Sequence, residues 1–467
     1  GPGACNLSTG VCGGWLDRAP MLAFTDEMGA AMRPRITQMN IDHQELFKPI
    51  TKWTTRISPE TVRQTLYKAM QIATAEVPGP VHIGLPADGM SLRQAVGSEP
   101  PPPPADDSLS LPDEALVEKA LGLFKSAKRP LLAVGLTATR VDVGALIRKI
   151  VDKHRLPLVL TPMAKGLLPE DHPCYAGVLA HACSDTVAKT HQQADLVVGI
   201  GFDPVELNYE DWMPDAPLIH LDTRKADIDL NNYTLACDLV GDILPVLERL
   251  ADLEDGGNLW DLKALGRRRQ EMFHQFEPPK DSFGPIAVLD SLREVLPEDG
   301  VMTCDVGAHL HLIGQQWRTP APDLQLMTNG CSSMGFAIPA AIAAKLSRPD
   351  KQVCAVVGDG GFLMTVGEMA TALRLDLHIV FILITDNHLS LIRIKQTNKA
   401  YPHYETRLYG DGYTSAKSFF GAPVLTASNA GEYRRALDEA FGAKGPIIVE
   451  ALVGPEEYDG LLLKGNR

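Results

Sequence analysis

Asp359 and Asp386 stand 27 positions apart, and each ends an apolar run. The first run closes in Gly358-Asp359-Gly360-Gly361 and the second in Asp386-Asn387-His388. The runs at 353–357 and 379–385 read as buried strands. The stretch between them, 363–375, has helical period, with Met364, Met369, Ala370 and Leu373 on the expected inner face. A strand–helix–strand unit of this length makes one right-handed crossover, which returns the second strand parallel to the first. Both carboxylates are then expected at the carboxyl edge of one sheet, where open α/β sheets bind ligands. Two carboxylates held together repel unless a cation lies between them. A few hard oxygen ligands, completed by water and phosphate, suit Mg²⁺. Gly360 and Gly361 leave N–H groups open at a helix start, which favours phosphate. A single Asp-Gly turn is an ordinary loop. Two at crossover spacing, with a double glycine, read as a metal-bridged diphosphate site. Gly410-Asp411-Gly412 has no strand before it and reads as a plain loop.

The elements that must position these turns recur along the chain. The proline-rich stretch 98–107 and the breaks at 253–258 and 276–285 leave three blocks, 1–97, 108–255 and 280–467. In the middle block "RPLLAVGL", "LPLVLTP", "ADLVVGIG" and "APLIHLD" are strand-sized runs that stop at Gly, Pro or Asp. The last block repeats the pattern in "DGVMTCDVG", "LQLMTNG", "QVCAVVGDG", "LHIVFILITDN" and "GPIIVEALV". Apolar runs alternating with amphipathic segments predict an α/β protein of three doubly wound parallel-sheet domains. A faint repeat links the outer blocks. Arg63, Leu66 and Ala69 precede "PGPVHIGLP", and Arg434, Leu437 and Ala440 precede "KGPIIVEAL".

Bulk properties narrow the function. The net charge is −14, and no basic block is present, which argues against nucleic-acid and anionic-membrane partners. No apolar run reaches the ~18 residues of a membrane span. The eight cysteines show no C-x-x-C pair, and scattered thiols predict a reduced, cytoplasmic setting.

The paired turns sit among further stretches: "GPGACN" (1–6), "ITKW" (50–53), "GPVHIGLPAD" (79–88), "DVGAHLH" (305–311), "NGCSSMGFAIPAAIAA" (329–344) and "LSLIRIKQ" (389–396). Together they resemble the thiamine-diphosphate-dependent decarboxylases and carboligases, in particular the acetolactate synthase group. The resemblance covers the whole chain. "GIGFDPVE" and "LIHLDTRKADID" in the middle block are similar to the catabolic members that work without FAD. It implies a pyrimidine-binding domain in 1–97, a central domain in 108–255 and a diphosphate-binding domain in 280–467.

The resemblance also assigns roles. Asp359 and Asp386 would hold Mg²⁺, with Asn387 competing for the second place and His388 giving a backbone carbonyl. His309 would approach the diphosphate, with Gly358, Gly360 and Gly361 lining it. Ser332 would offer a carbonyl to the aminopyrimidine. Ser333 and Leu391 fall in the same cofactor-binding set. Met334 would lie beneath the thiazolium and enforce a bent cofactor, so that proton loss becomes intramolecular. Gln38 and Lys52 match positions near the carboxylate of a small 2-keto acid substrate. The diphosphate end would sit on one subunit and the pyrimidine end on another, which implies a homodimer or homotetramer.

Departures from the family pattern matter for substrate. The family's catalytic glutamate and first strand lie upstream of the "GPG" turn, so the sequence is expected to be an N-terminally truncated piece. Lys395 replaces the tryptophan of the biosynthetic enzymes, and Asp26-Glu27 replaces a Gly-Gln pair. Both put the acceptor pocket in question. Pyruvate oxidase, sulfoacetaldehyde acetyltransferase-like and cyclic-diketone hydrolase activities share the motifs, and a catalytically inactive relative is the further alternative. A separate reading is an NAD-linked oxidoreductase. Gly199-Ile200-Gly201 follows a strand and Asp222 ends another, but Pro204 stands at the third glycine position.

Overall fold

In the computed structural model, which describes residues 1–89, 109–279, 282–410 and 414–462, the strands form three sheets, parallel except for one short edge pair. The linker expected at 98–107, and Asp411 and Gly412 of the plain loop, lie outside the described residues. The chain divides into two compact units. One holds Gly1–Ser110 with Gly330–Ser332, and the other holds Leu111–Asn329 with Ser333–Arg467.

In the first unit, β1 (Met21–Glu27), β2 (Trp53–Arg56) and β3 (Pro80–Pro86) pair in the order β1-β3-β2. Central β3 is buried almost throughout. The helix Val62–Thr74 feeds it and buries Ala69 and Ala73.

The second unit contains two sheets. The first is β4 (Pro130–Val134), β5 (Leu158–Leu160), β6 (Tyr175–Val178), β7 (Leu196–Ile200), β8 (Leu218–Asp222) and β9 (Leu235–Val240), ordered β6-β5-β4-β7-β8-β9. The other is β10 (Val301–Cys304), β11 (Gln325–Leu326), β12 (Val353–Gly358), β13 (Val380–Thr385), β14 (Ser418–Phe419), β15 (Ala422–Ala427) and β16 (Ile447–Leu452). Its order is β11-β10-β12-β13-β16-β15-β14. Strands β4, β7, β8 and β13 are buried at every residue. Helices on both faces of a parallel sheet explain why these strands are buried on both sides. The helix Ala430–Gly442 precedes β16 as Val62–Thr74 precedes β3, so both copies of the faint repeat are helix–strand units.

The structure corrects the sequence reading in two places. Strands β6, β9, β14 and β15 carry no unbroken apolar run; β9 and β15 are partly exposed near sheet edges, and β6 contains Gly177. The helix expected over 363–375 is broken. It runs Asp359–Thr365, passes through a 3₁₀ turn at Val366–Glu368, and resumes at Met369–Arg374. The break rotates the buried face to Phe362, Met369 and Ala372, leaving Met364 and Ala370 exposed. Val366 and Gly367, poor helix formers, sit at the break.

A buried ion pair ties the two sheets of this unit. Lys165, after β5, lies 2.9 Å from Glu170 and donates to the Trp317 carbonyl at 2.7 Å. Glu170 also accepts the Thr319 amide. Both charged side chains are buried. Lys165→Met leaves Glu170 without its cation, and the expected cost is about 3–5 kcal/mol in denaturant unfolding. A stability unchanged from the parent chain would show that the pair does not hold the sheets.

Candidate functional site

The order of the β10–β16 sheet reverses between β10 and β12, so their carboxyl ends diverge there and open a crevice. Three strand-ending acids stand around it. Asp305 follows β10, Asp359 follows β12, and Asp386 follows β13. Parallel register pairs Gly358 with Ile384, which sets the two acidic turns side by side.

The turns are joined directly. Asp359 is buried; its Oδ1 accepts the Gly360 amide at 2.8 Å and its Oδ2 accepts the Asn387 amide at 2.8 Å. Burial first, and the Asp386 charge second, push the Asp359 carboxyl up to about 7. Burial also raises Asp386, which accepts the His388 amide at 2.9 Å and the Ser390 hydroxyl at 2.7 Å. Asn387 takes φ +63°, its Oδ1 accepts the Tyr409 amide at 2.7 Å, and its carbonyl accepts the Leu408 amide. His388 turns its Nδ1 to the Asp386 carbonyl. Two buried carboxylates, both raised by burial and one of them also by its neighbour's charge, form a donor set that a hard divalent cation relieves.

Glycine lets neighbouring groups pack closely against these turns. A Cβ on Gly361 would lie 1.7 Å from Asp305 Oδ2, and one on Gly358 would lie 3.1 Å from His309 Cε1. A Cβ on Gly360 would meet Leu389 Cδ2 at 2.9 Å and Met334 Cε at 3.1 Å. His309 is buried with Nε2 lacking a hydrogen-bond partner. Burial, then His311, lower it to about 4 against a hydrogen bond to the Asp305 carbonyl. A buried nitrogen left without a partner beside the Gly358 backbone is the feature a bound anion would satisfy.

The remaining candidates are placed as follows. Met334 is half-buried over Gly360, and the Ser333 hydroxyl donates to its carbonyl at 3.0 Å. Leu391 is partly buried on the helix Ser390–Asn398. The structure therefore gathers Asp359, Asp386, Asn387, His388, His309, Met334 and Gly358, Gly360 and Gly361 at one sheet edge. Ser332, with φ +51°, belongs to the first unit, as do Gln38 and Lys52. There Gln38 is exposed, and the Lys52 ammonium donates to the Ala75 carbonyl at 2.6 Å at the end of the helix Val62–Thr74.

Asp305 was missed in sequence. Its carboxylate accepts backbone amides of Gly335, Phe336 and Ala337, and so fixes the loop that carries Met334. The signal was available, since Asp305 also ends a buried strand. In the first unit, Glu27, His43 and His82 bring ligand atoms within 4.8 Å of one another. They are already engaged: Glu27 by Gln44 and Arg56, His82 by Thr25 and Thr54, and His43 by Thr25. This cluster is a satisfied hydrogen-bond relay.

Residues 305–451 match the thiamine pyrophosphate enzyme C-terminal TPP binding domain, and residues 117–250 match the thiamine pyrophosphate enzyme central domain. The acetolactate synthase of Bacillus subtilis (strain 168) is 29% identical over 97% of this chain and 81% of its own length. The acetolactate synthase isozyme 1 large subunit of Escherichia coli (strain K12) is 28% identical over 98% of this chain and 82% of its own length. A putative thiamine pyrophosphate-containing protein, YdaP, of B. subtilis is 26% identical over 98% of this chain and 79% of its own length.

Proposed function

The chain belongs to the thiamine pyrophosphate enzymes and is acetolactate synthase-like, and from that premise we propose that it decarboxylates pyruvate and ligates the two-carbon unit to a second small 2-keto acid, with Mg²⁺ and without FAD. The observation that carries this reading is the bond from the Asn387 amide to Asp359 Oδ2, which joins the two buried acidic turns.

When bound, thiamine diphosphate supplies the carbon nucleophile and the electron sink that 2-keto acid decarboxylation needs. The chain's own part is binding and orientation. Asp359 and Asp386 would hold Mg²⁺ by their carboxylates, with Asn387 as the alternative second ligand and His388 offering its backbone carbonyl. The Gly360 and Gly361 backbone and the open His309 Nε2 face the diphosphate. Met334, set over Gly360 and fixed by the Asp305-pinned loop, would shape the cofactor, with Ser333 and Leu391 around it. Gln38 and Lys52 meet the substrate carboxylate. Burial first, and the Lys395 charge second, lower the His311 imidazole to about 4, which places Lys395 within electrostatic reach of His311. A cation at the place of the family's tryptophan favours pyruvate over a bulkier acceptor.

Assembly as a homodimer or homotetramer in the cytoplasm belongs to the same proposal. No helix among the described residues is long and apolar enough to cross a membrane. The test is an assay with pyruvate, thiamine diphosphate and Mg²⁺. The expected products are CO₂ and acetolactate, released in equal amounts, from a species heavier than one chain by light scattering. Turnover of pyruvate without acetolactate would remove the carboligation step and keep only the decarboxylase.

A further inference from the structure

The β4–β9 sheet has its own reversal. The chain leaves β4 toward β5 and β6, then returns to the other side of β4 as β7. The carboxyl ends of β4 and β7 border the resulting crevice, the place where open parallel sheets take nucleotides. Three donors converge there. The Leu136 amide comes from the loop after β4, and the Thr161 hydroxyl and Met163 amide from the loop after β5. All three donate to one side chain. Glu206, in the loop after β7, accepts Leu136 N at 3.2 Å, Thr161 Oγ1 at 2.6 Å and Met163 N at 2.9 Å. Asn329 Nδ2 donates to the Glu206 carbonyl at 3.0 Å and anchors that loop. Glu206 is buried, with Asp203 as its charged neighbour. Burial pushes its carboxyl up to about 7, and the three hydrogen bonds oppose that rise.

The glycines that imitate a dinucleotide fingerprint have other uses. A Cβ on Gly199 would lie 2.2 Å from Tyr209 Oη, and Gly201, at φ +56°, approaches the Ala138 amide so closely that a Cβ would lie 2.3 Å from it. They make room for the chain's own ring and helix.

We propose that Glu206 is a built-in anion: its carboxylate takes the place of a nucleotide phosphate at the switch point of the central sheet and shuts that crevice to nucleoside diphosphates and dinucleotides. Buried donors converging on one point are costly to leave empty. A carboxylate of the same chain holds them at an effective concentration a free phosphate cannot match. The inference does not rest on the thiamine site.

The test uses the purified chain saturated with thiamine diphosphate and Mg²⁺, titrated with ADP by calorimetry and by thermal melting. The parent chain is expected to give no heat and no shift. Glu206→Ala is expected to melt several degrees lower, to regain part of the loss in acetate, and to bind ADP at least about tenfold more tightly than the parent. ADP binding by the parent chain that thiamine diphosphate does not displace would overturn the proposal. So would a Glu206→Ala chain with native circular dichroism whose melting responds to neither acetate nor ADP. Glu206→Gln keeps size and shape if the alanine variant fails to fold. At pH 8 it is expected to melt below the parent, because its amide meets a donor. A rise in melting temperature would mean that the carboxylate is only a buried charge, and would sink the idea.

Discussion

Asp359→Asn is expected to abolish thiamine-diphosphate-dependent turnover and the stabilisation that the cofactor confers. Asn keeps the volume but removes the charge that faces Asp386, and its amide must point at either the Gly360 or the Asn387 N–H. Affinity for Mg²⁺ should fall by more than the ~10–100-fold that changes to the surroundings of metal ligands produce, because a direct ligand is lost. A cofactor present at a hundred times its Kd stabilises by about 2.7 kcal/mol. The parent chain should therefore melt distinctly higher with thiamine diphosphate and Mg²⁺, and the Asp359→Asn chain should melt at one temperature with or without them. Asp386→Asn should weaken binding in the same direction. Retained cofactor-induced stabilisation in Asp359→Asn would remove Asp359 from the metal set.

Gly361→Ala is expected to be the most damaging single methyl at this edge. The new Cβ would fall 1.7 Å from Asp305 Oδ2. Asp305 is fully buried and already holds the amides of the loop 335–337, so it cannot swing away without dropping them. Overpacking of this kind costs about 1–3 kcal/mol, and the closeness of the contact puts the expected loss at the upper end. Because the same loop carries Met334, activity should fall together with stability. Gly360→Ala offers the contrast. Its Cβ would meet the ends of two flexible side chains, Leu389 and Met334, which can give way. Stability should then fall less than in Gly361→Ala, while the methyl fills space proposed for the cofactor. Denaturant unfolding of the two variants checks the order, and equal stabilities would contradict it.

Why part of this site could be read from sequence and part could not follows from which contacts are local. Asp359 and Asp386 each end a strand buried on both faces, so an unbroken apolar run closed by an acid announced them, and one crossover fixed their meeting. The same rule applied to Asp305, but its partners lie some thirty residues on in the loop 335–337, and nothing in the local pattern names them. Glu206 is further out of reach. Its three donors come from two different loops, and only the return of β7 beside β4 brings them together. Strands β9 and β15 escaped because their exposed residues interrupt the apolar run. The break at Val366–Glu368 was readable from Val366 and Gly367, but the apolar period of 363–375 outweighed it in the sequence reading, and the buried face came out rotated.

The most direct measurement is anomalous scattering from crystals of the chain grown with thiamine diphosphate and Mn²⁺ in place of Mg²⁺. The account predicts one strong peak between the Asp359 carboxylate and the Asp386-Asn387-His388 turn, with the diphosphate beside Gly360 and His309. A peak elsewhere, or cofactor bound with no metal at these two turns, would contradict it.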